Sequence, residues 1–188
     1  STMDFFGSIL LATSLGGVSG LRITTTPLVL ALGSYTPFFT LPENMIWLAS
    51  PEMLGLWFLI NFVEFGAFSV PVLGSGFDVA ALGIAPLSSA FFVTGVTEMD
   101  FMTAMLFAGA PSAGVQLATS GVRAISGPFA PVVSLFESVT AFIAGILAII
   151  LPILSIALMV WLVVWGVKQA KQFVQKRRTM QEPIPPTT

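Results

Sequence analysis

Apolar residues run through this chain in long blocks, and the polar residues gather at a few breaks. Blocks of this kind predict helices that are apolar all round rather than amphipathic. The first predicts a helix from Phe5 to about Gly20, broken by Gly16-Gly17 and Gly20. The second predicts a helix from Ile23 to Phe39, with Pro27 in its first turns. Both are near the short end of the ~20 residues needed to cross a bilayer. Leu41 to Ala49 reads as a connection carrying Pro42, Glu43, Asn44 and Trp47. Trp47 suits a membrane–water boundary.

Ser50-Pro51-Glu52 reads as a helix start. Ser50 is the cap, Pro51 takes the first helical position, and Glu52 complements the helix dipole. That helix is expected to end near Ser69, before Pro71, with a glycine-bearing loop over Val72 to Gly76. Asp78 to Val96 predicts a fourth apolar element, interrupted by Gly83 and Pro86. Thr97-Glu98-Met99-Asp100 is an aqueous turn. A helix from Phe101 passes Pro111 and ends near Gly127-Pro128, and Pro131 opens another to about Leu151. Pro131 to Val167 spans 37 residues, about 55 Å as one helix, too long for a ~30 Å hydrocarbon core. Either Pro152 marks a turn between two helices or a long kinked helix projects from the membrane.

Composition shows why the blocks matter. Apolar residues make up 55% of the 188 and charged residues 9%, against roughly 25% charged in a soluble domain. Sixteen charged side chains cannot coat a soluble domain of this size, so the exterior is expected to face lipid. There is no Cys, hence no disulfide or thiolate chemistry, and no His, the commonest general base and metal ligand. The net charge is −2 and the basic residues cluster at the C-terminus, so no nucleic-acid partner is expected. The N-terminal Ser1 to Asp4 lacks Lys and Arg, and no cleaved signal peptide is expected. Lys168, Lys171, Lys176, Arg177 and Arg178 place the C-terminal end in the cytoplasm by charge bias. The last residues carry three Pro in Gln181 to Thr188 and predict a disordered tail over 179–188.

An internal repeat is visible around the two Arg residues that precede the basic stretch from Lys168. Ser19-Gly20-Leu21-Arg22 with Pro27 and Ser120-Gly121-Val122-Arg123 with Pro128 both read Ser-Gly-aliphatic-Arg-x4-Pro. Pro51 and Pro71 bracket one helix, and Pro131 and Pro152 bracket another of similar length. These matches point to a duplication, 1–97 and 98–178; coincidence is the alternative, since Ser-Gly also occurs at 75–76 and 126–127. Repeats that cross an odd number of times would be inverted.

Five charged residues fall inside apolar segments: Arg22, Glu64, Asp78, Arg123 and Glu137. A charge at the bilayer centre costs roughly 2.5–3.5 kcal/mol on insertion scales, so such groups pair or line a cavity. The arrangement predicts Arg22 and Arg123 against Glu64 and Glu137; snorkelling of the Arg residues to the headgroups is the alternative. Ser112, Gln116, Thr119, Ser120 and Arg123 share one helical face, as do Ser19, Arg22, Thr25 and Thr26. Asn61 lies with Glu64, and Ser134 and Ser138 with Glu137. Small polar residues are also ordinary packing groups between membrane helices, and Gly16, Gly17 and Gly20 fit the same pattern. No phosphate-binding glycine loop and no metal-spaced carboxylate pair on one helix is present, so no cofactor is expected.

The Ser-Gly-Leu-Arg start, Ala49-Ser50-Pro51, Glu64 with Pro71 and Asp78, and Ala130-Pro131-Val132-Val133-Ser134 with Glu137 resemble a bacterial membrane family catalogued as domain of unknown function 4126. The resemblance covers nearly the whole chain and implies a multi-pass membrane protein, with no activity to carry over. Family members typically show Ala-Asp-Lys after the Glu, where this chain has Ala67-Phe68-Ser69. They show His where it has Ala81 and Arg where it has Ala85. A polar site built by that charged loop elsewhere is expected to be weakened or lost here.

The sequence thus predicts an all-α, polytopic transmembrane helix bundle of about six to eight helical elements with an internal repeat. Its candidate intramembrane polar residues are Arg22, Asn61, Glu64, Asp78, Gln116, Arg123 and Glu137. Expected partners are membrane lipids and other membrane subunits or further copies of the chain, in a bacterial inner membrane. The expected role is non-enzymatic, as a structural or accessory subunit; the alternative is a small transporter or channel with a polar path between the repeats.

Overall fold

The structure, a computed structural model, describes residues 5–180. They form an all-helical bundle: α1 (Phe5–Leu21), α2 (Thr25–Gly33), α3 (Pro51–Ser69), α4 (Pro71–Val96), α5 (Phe101–Ala104), α6 (Ala110–Ser126), α7 (Ala130–Ile150) and α8 (Pro152–Met180). Pro51–Ser69, Leu73–Val96 and Phe101–Ile150 are long and apolar enough to cross a membrane. Large apolar side chains such as Phe62, Val79, Leu106 and Ile153 stand exposed on the outside. The chain is a membrane protein.

The starts and stops follow local chemistry. Ser50 caps α3, its Oγ accepting from Met53 N at 3.3 Å, with Pro51 in the first turn. Asp100 caps α5 by accepting from the backbone N–H groups of Met102 and Thr103 at 3.0 Å. A π-turn over Met105–Gly109 joins α5 to α6. Pro111 has no N–H for the carbonyl four residues back, and the wider turn accommodates it. Gly127 turns the chain between α6 and α7 at φ 51, in the left-handed region that glycine tolerates. Leu151 leaves helical geometry and Pro152 opens α8. Ser155 meets Ala144 and Trp165 meets Phe136, so α7 and α8 form an antiparallel hairpin, and Pro152 marks a turn rather than a kink.

Several expected boundaries are corrected. α1 runs through Gly16, Gly17 and Gly20 without a break. α2 covers only Thr25–Gly33 of the expected Ile23–Phe39, and Glu43–Ala49 is a 3-10 helix rather than an irregular connection. The expected loop at Val72 to Gly76 is helical, the first turns of a continuous α4 that also passes Pro86. In an apolar surrounding, backbone groups find no partner outside a helix, which outweighs glycine's weak propensity. The expected disordered tail begins no earlier than the end of α8 at Met180; residues 181–188 lie outside the described residues.

At the centre, α1 and α6 run side by side in the same direction. A Cβ on Gly16 would sit 2.2 Å from the Ala108 carbonyl oxygen, and one on Gly20 would sit 2.4 Å from that of Ser112. Only glycine permits this approach. α4 runs opposite to α1, with Ser19 near Ala85 and Ser8 near Thr94 across a shared cavity. The main apolar core, including Leu11, Leu15, Val93, Ala104, Ala108 and Ala148, fills one half of the bundle. The polar centre occupies the other half.

Candidate functional site

The polar centre forms where α1, α3 and α6 end and where α2 and α7 begin, with α4 alongside. Arg22 lies in the break between α1 and α2, not on a helical face shared with Thr25 and Thr26 as the spacing predicted. Its side chain is 1% exposed. Nη1 donates to the Glu64 carbonyl at 3.2 Å. Nη2 donates to the Ser134 carbonyl at 2.9 Å and to Ser134 Oγ. Glu137 Oε2 is 3.9 Å from the same nitrogen. Snorkelling is overturned for this residue, because every contact lies inside the bundle.

Arg123 sits in the last turn of α6. It donates to Asp78 Oδ1 at 2.6 Å and to Glu137 Oε2 at 2.7 Å. Asp78 Oδ1 also accepts from Ser120 Oγ at 3.1 Å and Gln116 Nε2 at 3.3 Å. The α6 face carrying Ser112, Gln116, Thr119 and Arg123 is buried as the spacing predicted. Asp78 is the most open acid of the group, its side chain 15% exposed. Charge-assisted bonds of this length are the strong class.

Glu64 departs from the expected pairing. Its carboxylate meets no arginine. Oε1 accepts from Ile23 N at 2.9 Å, and Oε2 accepts from Thr24 N at 3.2 Å and from Thr24 Oγ1. Asn61 Nδ2 adds bonds to Thr24 Oγ1 at 3.0 Å and Thr25 Oγ1 at 3.1 Å. No side chain of α2's own cap residue satisfies its first N–H groups. Glu64 reaches across the bundle to accept from the two amides of the turn that leads into α2, with its charge at the positive end of the helix dipole.

Phe68 stands out in the sequence only as a departure from the family pattern, with no site role attached to it. Both guanidinium groups lie over its ring, Arg22 Cζ at 4.7 Å and Arg123 Cζ at 4.1 Å from the centroid. That is within cation–π range. Thr24 was likewise missed. One phenylalanine among 17 says nothing of a ring beneath two guanidinium groups, and one threonine in a run of three carries no signal of its own.

All seven candidate residues therefore lie in one connected network, and two arginines share Glu137 at its middle. Among the described residues of this centre, Arg22 Nε, Arg123 Nε, Glu137 Oε1 and Ser112 Oγ have no hydrogen-bond partner. No group of three or more His, Cys, Asp or Glu is placed to hold a metal ion among the described residues. At the far end of the bundle is a separate cavity of about 610 Å³, lined by residues including Ser8, Phe39, Thr94, Glu98 and Pro152. None of the seven lines it.

The family described as "Domain of unknown function (DUF4126)" matches residues 9–171, and the chain belongs to that family. No curated protein and no solved structure matches the chain.

Proposed function

We propose that this member of a family of unknown function is a non-catalytic, multi-pass integral membrane protein that serves as a structural or accessory subunit of a larger membrane assembly. The observation that supports it most is the capped state of the buried charges. Arg123 has two carboxylates within 2.7 Å, and Arg22 is held by Ser134, a backbone carbonyl and Glu137. A solute path must hydrate its charges, whereas these are spent on tying helix ends together. Leu11, Leu15, Ala90, Val93, Ala104 and Ala108 also form an apolar layer between the polar centre and the far cavity.

The basic end of α8 lies on the cytoplasmic side of a bacterial inner membrane in this reading. Glu43, Glu52, Glu98 and Asp100 then belong to the opposite side. A duplication fits the same picture. Arg22 and Arg123, Pro27 and Pro128, and Pro51 and Pro152 are each 101 residues apart. This spacing pairs Pro51 with Pro152 rather than with Pro131. Parallel α1 and α6 favour parallel repeats, α1–α3 and α6–α8, with α4 between them.

One observation favours the transporter reading. The polar seam from Ser112 to Arg123 reaches the partly exposed Asp78, and Ser112 Oγ has no partner among the described residues. Reconstitution of the pure protein in vesicles separates the two. A scaffold shows no solute uptake, and Arg123→Gln lowers its stability and its recovery with co-purifying chains. Selective uptake that Arg123→Gln abolishes in a folded protein would overturn the scaffold reading.

A further inference from the structure

We infer that the outer face of α8 is a binding surface for phospholipids with anionic headgroups. Val160, Trp161, Val164, Trp165 and Val167 are exposed, and the next exposed groups on the helix are Lys168 and Lys171. Trp161 and Trp165 stack on each other, with ring centroids 6.3 Å apart and planes 16° apart. Phe136 of α7 packs against Trp165 at 6.0 Å and widens the aromatic surface. Apolar side chains, then tryptophan, then lysine is the order of an acyl chain, an interfacial region and a phosphate.

Charge complementarity identifies the headgroup. Neither Lys168 nor Lys171 has an ion-pair partner among the described residues. Lys176, Arg177 and Arg178 follow in the sequence, and no acidic residue lies between Asp100 and Glu182 except Glu137, which the buried arginines hold. Glu43, Glu52, Glu98 and Asp100 sit toward the opposite end of the bundle. The basic end therefore meets the membrane surface with uncompensated positive charge, the arrangement that attracts acidic lipids over zwitterionic ones. The surface also has a fixed depth. Gly166 lies against Val122, next to Arg123, so the buried network shares its level with the tryptophan belt. An acidic headgroup there meets the lysines, while Arg22 and Arg123 stay engaged inside.

The test uses the full chain in phosphatidylcholine vesicles with a minor fraction of brominated phosphatidylglycerol or brominated phosphatidylcholine. Trp47→Phe/Trp57→Phe leaves the two α8 tryptophans as reporters. Brominated phosphatidylglycerol is expected to quench several-fold more effectively, and raised salt is expected to remove the difference. Lys168→Gln/Lys171→Gln/Lys176→Gln/Arg177→Gln/Arg178→Gln is expected to abolish it, with helical content unchanged. The salt titration tests the same point without any change to these basic residues. Equal quenching by both lipids, or a preference that survives high salt or the substitutions, would overturn the inference.

Discussion

Glu137 and Arg123 meet through a 2.7 Å bond between side chains that are each 4% exposed. They are only 14 residues apart, but the bond crosses the α6–α7 turn at Gly127 and locks the angle between two helices. Glu137 Oε2 also faces Arg22 at 3.9 Å, so one carboxylate ties the first part of the chain to the last.

Glu137→Gln is therefore expected to be the most damaging conservative change in the network. It removes the charge shared by both arginines and leaves Arg22 with neutral partners only. Breaking a buried ion pair costs about 3–5 kcal/mol, and membrane reference states reduce such figures. Thermal unfolding in lipid discs should show a clear fall in midpoint, with Glu137→Asp in between. In a double-mutant cycle, Arg123→Gln should cost less once Glu137 is already Gln. Full additivity of the two changes would show that the pair is not coupled.

Glu64 stabilises a helix start rather than an ion pair. Glu64→Ala should cost more than Glu64→Gln, because Gln keeps one acceptor oxygen for the N–H groups of Ile23 and Thr24. Loss of a cap costs about 0.5–2 kcal/mol. The sensitive readout is hydrogen exchange at those two amides, which should accelerate in Glu64→Ala while amides of α6 are little changed. Unchanged exchange at Ile23 and Thr24 would refute the capping role.

Gly16→Ala and Gly20→Ala should both destabilise, since the added Cβ would collide with backbone that cannot move aside. Overpacking of this kind costs typically about 1–3 kcal/mol. Gly55 and Gly83 are the controls. A Cβ at either meets nothing within 4 Å, so Ala there should be neutral or favourable, by up to about 1 kcal/mol. Equal effects at all four sites would mean that helix propensity, not the α1–α6 contact, governs them.

Asp100 gives a pH signature outside the membrane-spanning segments. The Thr103 hydroxyl, then the Thr103 backbone N–H, hold its carboxyl below the ordinary value. A carboxyl lowered by folding stabilises the native state above its unfolded value of about 3.9, and the effect fades as pH falls through the folded value. Asp100→Asn should therefore lower stability at neutral pH, modestly because the site is exposed, and flatten the acid arm of the stability profile. A profile that keeps the parent's acid arm would show that Asp100 does not carry it.

The Ser50-Pro51 helix start, the Thr97–Asp100 turn, the apolar exterior and the buried charges were all legible in the sequence. Each rests on neighbouring residues or on composition: a proline without an N–H, a serine beside free amides, too few charges to face water. The inward face of α6 was legible for the same reason, since three- and four-residue spacing fixes which side chains share a side. Which acid would meet which arginine was not. Five charges allow several pairings, and the fold chose by the level at which each helix ends. Asp78 from α4 reaches Arg123, whereas Glu64 stops beside the turn that leads into α2 and is taken by the amides of Ile23 and Thr24. Phe68 joined the centre because two helix ends placed guanidinium groups over its ring. The continuity of α1 through three glycines and of α4 through Gly74 and Gly76 was also decided in three dimensions. An apolar surrounding leaves the backbone no other partner, and the Gly16 and Gly20 contacts with α6 need the room that glycine leaves.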